Sequence, residues 1–236
     1  MAEMSVLFLG DWLESDVAPY LGFASEERQA AVRRFRCASD RNRSLWAELF
    51  SRWRVAEFAG VSPAEVALAH DEKGKPFCRN LPLSVSLSHS GPYIAVAIGQ
   101  NAIGVDVERK RKISLAVSKR WFRPEEHELL LSLPDDERPQ AFLRFWTLKE
   151  AALKYTGEGL SGGIDAVDCF SLLEAARNGN AGDLSGRNFP LGQEAVAGIV
   201  AEKNELPDKA RVFTIQRETN GIYGNACFAE QDAVTS

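Results

Sequence analysis

Hydrophobic and polar residues follow two kinds of spacing along the chain, which predict strands and helices respectively. Short apolar or alternating runs bounded by turn-forming residues are typical of strands, whereas apolar residues three or four apart form one face of a helix. The predicted strands span 6–9, 66–69, 84–88, 93–98, 103–107, 195–201, 212–216 and 222–228. The pattern therefore predicts a protein that combines strands with helices.

Two helices are predicted in the N-terminal part of the chain. Ser25 is a favourable N-cap, and the acids early and bases late in 26–36 complement the helix dipole. Asp40 is expected to cap a second helix, which ends near Gly60. The arginines of this second helix are expected to be solvated, and they are Arg41, Arg43, Arg52 and Arg54.

Two more helices are predicted after Pro124 and Pro134, because proline is favoured in the first turn of a helix. The second of these should run through 142–155 before Gly157 and Gly159 end it. Residues 175–195 are rich in Gly and Asn and predict a loop.

Length and composition place the chain among ordinary globular proteins. The 236 residues are 45% hydrophobic and 26% charged, and their number allows one large domain or two small ones. A net charge of −5 argues against a dedicated nucleic-acid-binding protein. The segment 28–54 is an exception, since its eight arginines and two acids could bind a polyanion.

The cysteines and apolar runs indicate a soluble intracellular protein. Cys37, Cys78, Cys169 and Cys227 are far apart and form no CxxC pair, so we expect free, mostly buried thiols. The longest early apolar run, 6–9, is far shorter than the roughly 20 residues of a membrane span, and no targeting sequence follows it. We therefore expect a cytoplasmic protein that binds neither membranes nor nucleic acids.

Two carboxylates lie two residues apart in Gly104-Val105-Asp106-Val107-Glu108. On a strand, this spacing directs both side chains to the same face. Their repulsion would be relieved by a hard divalent cation such as Mg²⁺, although a solvated strand edge has the same pattern.

A second group of residues is predicted on one face of a helix, where Trp146, Glu150 and Lys154 are four residues apart. Alone, Glu150 and Lys154 could form a surface ion pair worth about 0.3–0.5 kcal/mol. Beside Asp106 and Glu108, however, the helix would add a third carboxylate and a cation, as a metal-bound pyrophosphate requires.

A third polar group, Ser86-Leu87-Ser88-His89-Ser90-Gly91, lies where a strand leads into a Gly-Pro turn. These hydroxyl groups could simply bond to the backbone of the turn. A hydrolase triad is less favoured, because no serine lies in a GxSxG sequence and His89 is adjacent to both serines.

Taken together, these motifs resemble those of the Sfp-type 4′-phosphopantetheinyl transferases. The strongest matches are Ser88-His89-Ser90, Gly104-x-Asp106-x-Glu108 and Trp146-x-x-Lys149-Glu150-x-x-x-Lys154. Further matches are Arg33-Arg34-Phe35, Arg43, Gly74-Lys75-Pro76 and Phe122-x-x-x-Glu126. The resemblance covers most of the chain and fades after Leu160.

The resemblance implies an α+β fold of two similar halves related by a pseudo-twofold axis. The first half, residues 1–100, would bind the nucleotide of coenzyme A, and the second half, residues 101–236, would carry a metal site and a catalytic helix. Coenzyme A would occupy the cleft between them. We expect the protein to be a monomer.

The implied reaction transfers the phosphopantetheine arm of coenzyme A to a serine of an apo acyl or peptidyl carrier protein and releases adenosine 3′,5′-bisphosphate. The implied Mg²⁺ ligands are Asp106, Glu108 and Glu150, and the implied catalytic residues are Glu150, Lys154 and Asp106. The implied coenzyme A contacts are Arg28, Arg43, Lys75, Pro76, Ser88, His89, Lys149 and Lys154. Ala31 stands where family members often carry a second base for the 3′-phosphate.

Two alternatives remain open at this point. A Mg²⁺-dependent phosphohydrolase of a nucleotide-type pyrophosphate could use the same carboxylates with water as nucleophile. A non-catalytic carrier-binding module would not need these carboxylates. The run 109–123 contains seven bases and no acid, so it predicts either a solvated surface or a docking site for an acidic carrier protein.

Overall fold

A computed structural model describes residues 1–157, 163–178 and 184–231. The strands are β1 (Glu3–Phe8), β2 (Leu68–His70), β3 (Pro76–Cys78), β4 (Ser84–Ser90), β5 (Tyr93–Gly99), β6 (Ile103–Arg109), β7 (Leu184–Leu191), β8 (Ala195–Glu202), β9 (Ala210–Gly221) and β10 (Gly224–Gln231). The helices are α1 (Glu26–Arg34), α2 (Ala38–Ala59), α3 (Leu115–Trp121), α4 (Pro124–Ser132), α5 (Arg138–Thr156) and α6 (Cys169–Asn178). Among these helices, none has the length and apolar character needed to cross a bilayer.

The helix ends follow most of the expected capping residues. Ser25 caps α1, where its Oγ accepts a hydrogen bond from the backbone N–H of Arg28 at 3.2 Å. Gly60 ends α2 with a φ of 69°, a left-handed conformation that glycine adopts without strain. The prediction that Asp40 caps α2 is wrong, because this residue lies in the first turn and forms an ion pair with Arg43.

One arginine of α2 is buried, contrary to the prediction that all four are solvated. Arg54 is fully buried, and its guanidinium donates to Ser5 Oγ at 2.9 Å and to the carboxylates of Glu3 and Glu57. Helical spacing could not predict this burial, because one of the two acids that neutralise Arg54 lies on β1, about fifty residues away in sequence. These bonds therefore join α2 to the first strand.

Within residues 1–157, 163–178 and 184–231, the ten strands form two sheets. The larger sheet has the order β10-β9-β1-β5-β4-β3-β2, and the smaller one has the order β6-β8-β7. Only the β1–β9 pairing is parallel among the pairs of the described strands, and the other pairs are antiparallel.

The two halves repeat the same arrangement of elements. In each, a first strand is followed by helices and then by a hairpin, and the first strand pairs antiparallel with the second strand of that hairpin. In the first half, β1 pairs with β5 of the β4–β5 hairpin, and in the second half, β6 pairs with β8 of the β7–β8 hairpin. The predicted α+β fold of two halves is confirmed. The last two strands return to the sheet of the first half, and the division at residue 101 stays a prediction.

Three apolar clusters form the core. One packs α2 against the larger sheet and includes Trp46, Phe50 and Phe213. The second lies between the two sheets and is built from small and β-branched residues of β1, β5, β6 and β8. The third packs α5 and α6 on the outer face of the smaller sheet. The smaller sheet is thus covered on both faces, which explains why β8 is apolar along nearly its whole length.

Helix α5 lies unusually close to the smaller sheet because two strands present glycine to it. A Cβ at Gly104 would collide with the carbonyl oxygen of Ala151, and one at Gly198 would come within 2.8 Å of Thr147. Gly104 is the first residue of the Gly-x-Asp-x-Glu motif. Its role in the fold is therefore to admit the helix that carries Glu150.

The predicted loop over 175–195 is wrong for 175–178 and 184–191, correct for the turn at 192–194, and untested for 179–183, which lie outside the described residues. Helix α6 continues to Asn178 and β7 begins at Leu184. Gly186 and Asn188 occur inside β7 because they contact α5, whereas Gly192 takes a φ of 60° in the turn between β7 and β8. A Cβ at Gly186 would lie 3.0 Å from Leu148, and Asn188 donates to Thr147 Oγ1 at 3.1 Å. Composition alone could not distinguish these roles from those of a turn.

The four cysteines are free, as predicted. The expectation that most of them are buried is correct for Cys78 and Cys169 only. Cys37 is exposed, and Cys227 is partly exposed.

A fully buried ion pair fixes α5 to the helices around it. Lys149 Nζ lies 2.8 Å from Glu126 Oε2 of α4, and both side chains have no exposed surface. The same ammonium donates to the carbonyls of Val167 at 2.6 Å and Ile164 at 3.3 Å. The other Glu126 oxygen accepts from the backbone N–H of Cys169 at 2.9 Å. These bonds satisfy both charges, as buried ions require.

Replacing Gly104 by Ala should destabilise the protein by about 3 kcal/mol, because the added methyl group must push the α5 backbone away from β6. Denaturant-induced unfolding measures this effect. Gly22→Ala is the matched control, since a Cβ added there would have no atom within 4 Å and the φ of Gly22 is not positive. Equal stability of Gly104→Ala and wild type would show that this close approach is absent.

Replacing Lys149 by Met should destabilise the protein by about 3–5 kcal/mol, because it leaves the Glu126 carboxylate buried without its cation. The double variant Lys149→Met/Glu126→Gln should be more stable than Lys149→Met alone, since the unpaired charge is then removed. Urea unfolding tests both statements, with Lys119→Met on the exposed side of α3 as control. A single variant as stable as the control would contradict them.

Candidate active site

The two sheets meet along β4 and β6, where serines of β4 bond directly to β6. Ser86 Oγ accepts from the backbone N–H of Val105 at 3.0 Å. Two residues further on, Ser88 Oγ donates to Asp106 Oδ1 at 2.6 Å. Because alternate residues of a strand point to the same face, these serines form one polar row towards β6.

The next serine of this row continues the contact. Ser90 Oγ donates to Glu108 Oε2 at 2.7 Å and accepts from the backbone N–H of Arg109 at 3.1 Å. Ser86, Ser88 and Ser90, which we call the serine row, thus bind both carboxylates of the Asp-x-Glu pair. Ser88, which the resemblance assigns to coenzyme A, serves here to orient Asp106.

Asp106 lies at the centre of the candidate site. Its carboxylate is 5% exposed, and Oδ1 accepts from Lys154 Nζ of α5 at 2.7 Å as well as from Ser88. The other oxygen, Oδ2, is buried and makes no hydrogen bond to the described residues. A carboxylate oxygen in this position can accept a hydrogen bond or bind a cation.

Glu108 and Glu150 complete a group of three interacting carboxylates. Burial raises the pKa of Glu150, and the negative charges of Asp106 and Glu108 add to this effect while Lys154 opposes it. Burial likewise raises the pKa of Glu108, against the effect of its bond from Ser90. A carboxylate with a raised pKa is a stronger proton acceptor, as a general base requires.

The three carboxylates are not arranged as a finished metal centre. Across the described ranges, no three His, Cys, Asp or Glu side chains lie close enough together to hold a metal ion. Their chemistry nevertheless suits a hard cation, since they offer oxygen ligands, and Asp106 Oδ2 is a buried oxygen without a hydrogen-bond partner among the described residues. The donor set therefore fits Mg²⁺, with Lys154 as the cation that now neutralises Asp106.

Lys149 does not reach this group, although the resemblance assigns it to coenzyme A. Its ammonium is fully buried on the opposite side of α5, in the ion pair with Glu126. Such a side chain has no exposed atom to offer a ligand. We therefore do not assign Lys149 to coenzyme A binding, and its role is to orient α5.

A pocket of about 230 Å³ lies in the first half, and two of the predicted coenzyme A contacts line it. These are Arg28 and Pro76, with Ala31, Glu48 and His70 also in its wall. Arg28 donates to Glu48 Oε2 at 3.1 Å, and its guanidinium lies 3.5 Å from His70 Nε2. The absence of a base at position 31 thus leaves a small apolar side chain in the pocket.

Other predicted nucleotide contacts lie on separate elements. Arg43 of α2 donates to the carbonyl of Gly91 at 3.4 Å, beyond the end of β4. Desolvation and the charge of Arg43 both lower the pKa of His89, so the neutral imidazole is favoured. The ammonium of Lys75 points across to the end of α5, 2.7 Å from the Lys154 carbonyl.

Sequence reasoning did not identify several residues of the site. Glu48 and His70 belong to no recognisable motif, because each acts through a contact with Arg28, which is distant from both in sequence. The sequence did single out Ser86, Ser88 and Ser90 as a polar group at the end of a strand. Which strand it would face could not be predicted.

Comparisons with known proteins agree with this arrangement. A profile of the 4′-phosphopantetheinyl transferase superfamily matches residues 102–200, and a profile of the 4′-phosphopantetheinyl transferase N-terminal region matches residues 14–101. The two matches meet between residues 101 and 102, just before β6 begins at Ile103.

Three similar proteins are named as 4′-phosphopantetheinyl transferases. Psf-1 of Bacillus pumilus is 34% identical over 145 residues, or 61% of this chain and 62% of its own. Sfp of Bacillus subtilis is 31% identical over 148 residues, or 62% and 66%. HetI of Nostoc sp. is 34% identical over 158 residues, or 64% and 67%. The chain thus matches slightly less than two thirds of the length of the two Bacillus proteins.

The matched segments include the Asp106–Glu108 strand and helix α5, so the similarity extends over the residues from which the candidate site is built. The chain belongs to the Sfp-type 4′-phosphopantetheinyl transferase family.

Proposed function

We propose that this protein transfers the 4′-phosphopantetheine arm of coenzyme A to a serine hydroxyl of an apo acyl or peptidyl carrier protein. The observation that carries the proposal is the meeting of Asp106, Lys154 and Ser88 at the junction of the two halves. The acid Asp106 and the cation Lys154 come from the second half, and the hydroxyl group of Ser88 comes from the first half. A phosphohydrolase would use the same groups, and the experiment below distinguishes it.

Coenzyme A would bind mainly through the phosphates of its nucleotide. Arg28 and Pro76 line one pocket of the first half, which supports their assignment to the nucleotide. We assign Arg43 and His89 to nearby phosphate oxygens, as the motif positions imply. Arginine suits this role because its guanidinium stays charged and binds phosphate through two hydrogen bonds.

Mg²⁺ is part of the proposal, and its ligands would be Asp106, Glu108 and Glu150. When bound, the cation would neutralise pyrophosphate oxygens and so favour attack at phosphorus. Lys154, whose ammonium lies 2.7 Å from Asp106 Oδ1, would supply a positive charge to the pyrophosphate oxygens.

Glu150 would accept the proton of the attacking serine hydroxyl, directly or through water. The serine oxygen forms a bond to the β-phosphorus as the bond from that phosphorus to the bridging oxygen breaks. The electron pair leaves with adenosine 3′,5′-bisphosphate, and Lys154 stabilises the charge that develops. Its raised pKa makes Glu150 a better base than an exposed glutamate.

Glu150→Gln should reduce kcat for transfer by about 10²–10⁴-fold, because an amide can neither accept the proton nor replace a charged ligand. Intact-protein mass spectrometry of apo-carriers incubated with enzyme, coenzyme A and Mg²⁺ measures the reaction. Glu137→Gln, at the exposed start of α5, is the matched control and should have normal activity. Unchanged transfer by Glu150→Gln would contradict both proposed roles of this residue.

The same assay without a carrier protein distinguishes transfer from hydrolysis. Transfer predicts that adenosine 3′,5′-bisphosphate appears only when an apo-carrier is present. Rapid release of this nucleotide without a carrier would instead identify a phosphohydrolase. Carrier binding without coenzyme A binding would identify a non-catalytic module.

The carrier protein would dock on the basic segment that follows β6. Lys112 and Lys119 are exposed and form no ion pair within the described residues. Arg123, by contrast, is the N-cap of α4, and its charge is already paired with Asp168 at 3.6 Å and Glu125 at 3.9 Å. An acidic carrier helix would be steered here towards Glu150. Cytoplasmic location and the monomeric state stay predictions.

Lys112→Glu/Lys119→Glu should raise KM for the carrier about tenfold at low salt, because charge reversal removes electrostatic steering. KM for coenzyme A should not change. Lys203→Glu/Lys209→Glu, near the β8–β9 connection, changes the net charge equally and serves as control. Identical carrier kinetics for the two double variants would place the docking surface elsewhere.

A further inference from the structure

The β2–β3 hairpin of the first half reaches across to the end of α5 in the second half. Lys75 Nζ donates to the carbonyls of Lys154 at 2.7 Å and Tyr155 at 3.2 Å. Lys73 Nζ donates to the carbonyl of Gly157 at 3.0 Å. Two lysines therefore bind three carbonyls at the end of the helix that carries Glu150 and Lys154.

These contacts satisfy a need of the helix itself. The last carbonyls of an α-helix have no partner within the helix, and the helix dipole makes this end negative. Gly157 ends α5 in a left-handed conformation with a φ of 73°. Lysine side chains suit the C-terminal end of a helix, because an ammonium group donates several hydrogen bonds and is positively charged.

The hairpin is itself braced, so it can transmit this contact. Asp71 Oδ1 accepts from the backbone N–H groups of Lys73 at 2.9 Å and Lys75 at 2.8 Å, and the Asp71 N–H donates to the Lys75 carbonyl at 3.0 Å. Both lysines are thus positioned by one carboxylate at the base of the turn. Gly74, with a φ of 83°, permits the tight turn between them.

The hairpin also borders the pocket of the first half. His70 and Pro76, which flank the turn, line that pocket together with Arg28. A single short element therefore contacts both the candidate nucleotide pocket and the helix with the reacting groups. A shift of the hairpin would change the position of Lys154, whose own carbonyl it binds.

We propose that Lys73 and Lys75 are positioning residues that clamp the end of α5 to the nucleotide-binding half and so set the distance from Lys154 and Glu150 to the bound substrate. The proposal rests on the transfer reaction proposed above. It assigns Lys75 a role different from direct contact with coenzyme A, which the sequence resemblance implies. It also gives Lys73 a role where the sequence indicated none.

The test compares Lys73→Met, Lys75→Met and the double variant in steady-state transfer assays, well below the melting temperature of each protein. The double variant should lose about tenfold in kcat, because small displacements of reacting groups are costly, while KM for coenzyme A changes less than about twofold. Lys75→Arg should restore kcat, since a guanidinium can donate to the same carbonyls. Glu72→Gln on the same turn is the control.

The possible outcomes separate the clamp from its alternatives. A loss confined to KM for coenzyme A would mean that Lys75 contacts the ligand, and this would overturn the proposal. A lower melting temperature with unchanged kcat would mean that the contact serves stability only, which would also overturn it. Inactivity of wild type on every apo-carrier would refute the transfer reaction instead, whereas an active wild type with a fully active double variant would refute the clamp alone.

Discussion

The serine row between β4 and β6 is the contact on which the arrangement of the site depends. These two strands belong to different sheets, so no ladder of backbone hydrogen bonds joins them. Three serine hydroxyls bridge the gap instead, and they bind backbone N–H groups and two carboxylates of the facing strand. Because a hydroxyl can both donate and accept, the same residue type satisfies both kinds of partner.

Three acids lie at this junction, in a place where charge is costly. Asp106 is nearly buried, and Glu108 and Glu150 have raised pKa values because of burial. Hydrogen bonds from Ser88 and Ser90 offset part of the cost of burying these charges, and the ion pair of Lys154 with Asp106 offsets a further part. The remaining repulsion among the three carboxylates is what makes the group responsive to a cation or a proton.

Much of this fold could be predicted from local sequence, because strands and helix ends are governed by periodicity and capping. Ser25 and Gly60 act as expected, and the Asp106–Glu108 strand and the Glu150 helix both lie where the pattern predicts them. Errors arose where a partner distant in sequence decided the outcome. The spacing of Arg54 predicts a solvated side chain, yet contacts with acids of β1 and α2 bury it.

The same limit applies to residues 175–195, where contact with α5 gives a glycine and an asparagine structural roles inside a strand. It applies equally to the candidate site. Motifs identified the carboxylates and Lys154, but not the pairing of Asp106 with Ser88, nor the bonds from Lys73 and Lys75 to the end of α5. Those contacts depend on how the two halves meet, which no local pattern specifies.

Helix α5 carries residues that hold the fold together next to residues that face the candidate site. Consecutive residues of an α-helix project about 100° apart, so the neighbours Lys149 and Glu150 must face different surroundings. Lys149 finds the buried carboxylate of Glu126, and this bond sets the rotation of the helix. Glu150 and Lys154, one turn apart, then face Asp106 together. A rotation that exposed Lys149 would carry Glu150 towards the core, where its charge has no partner. The buried ion pair therefore favours the rotation of α5 in which Glu150 and Lys154 face Asp106.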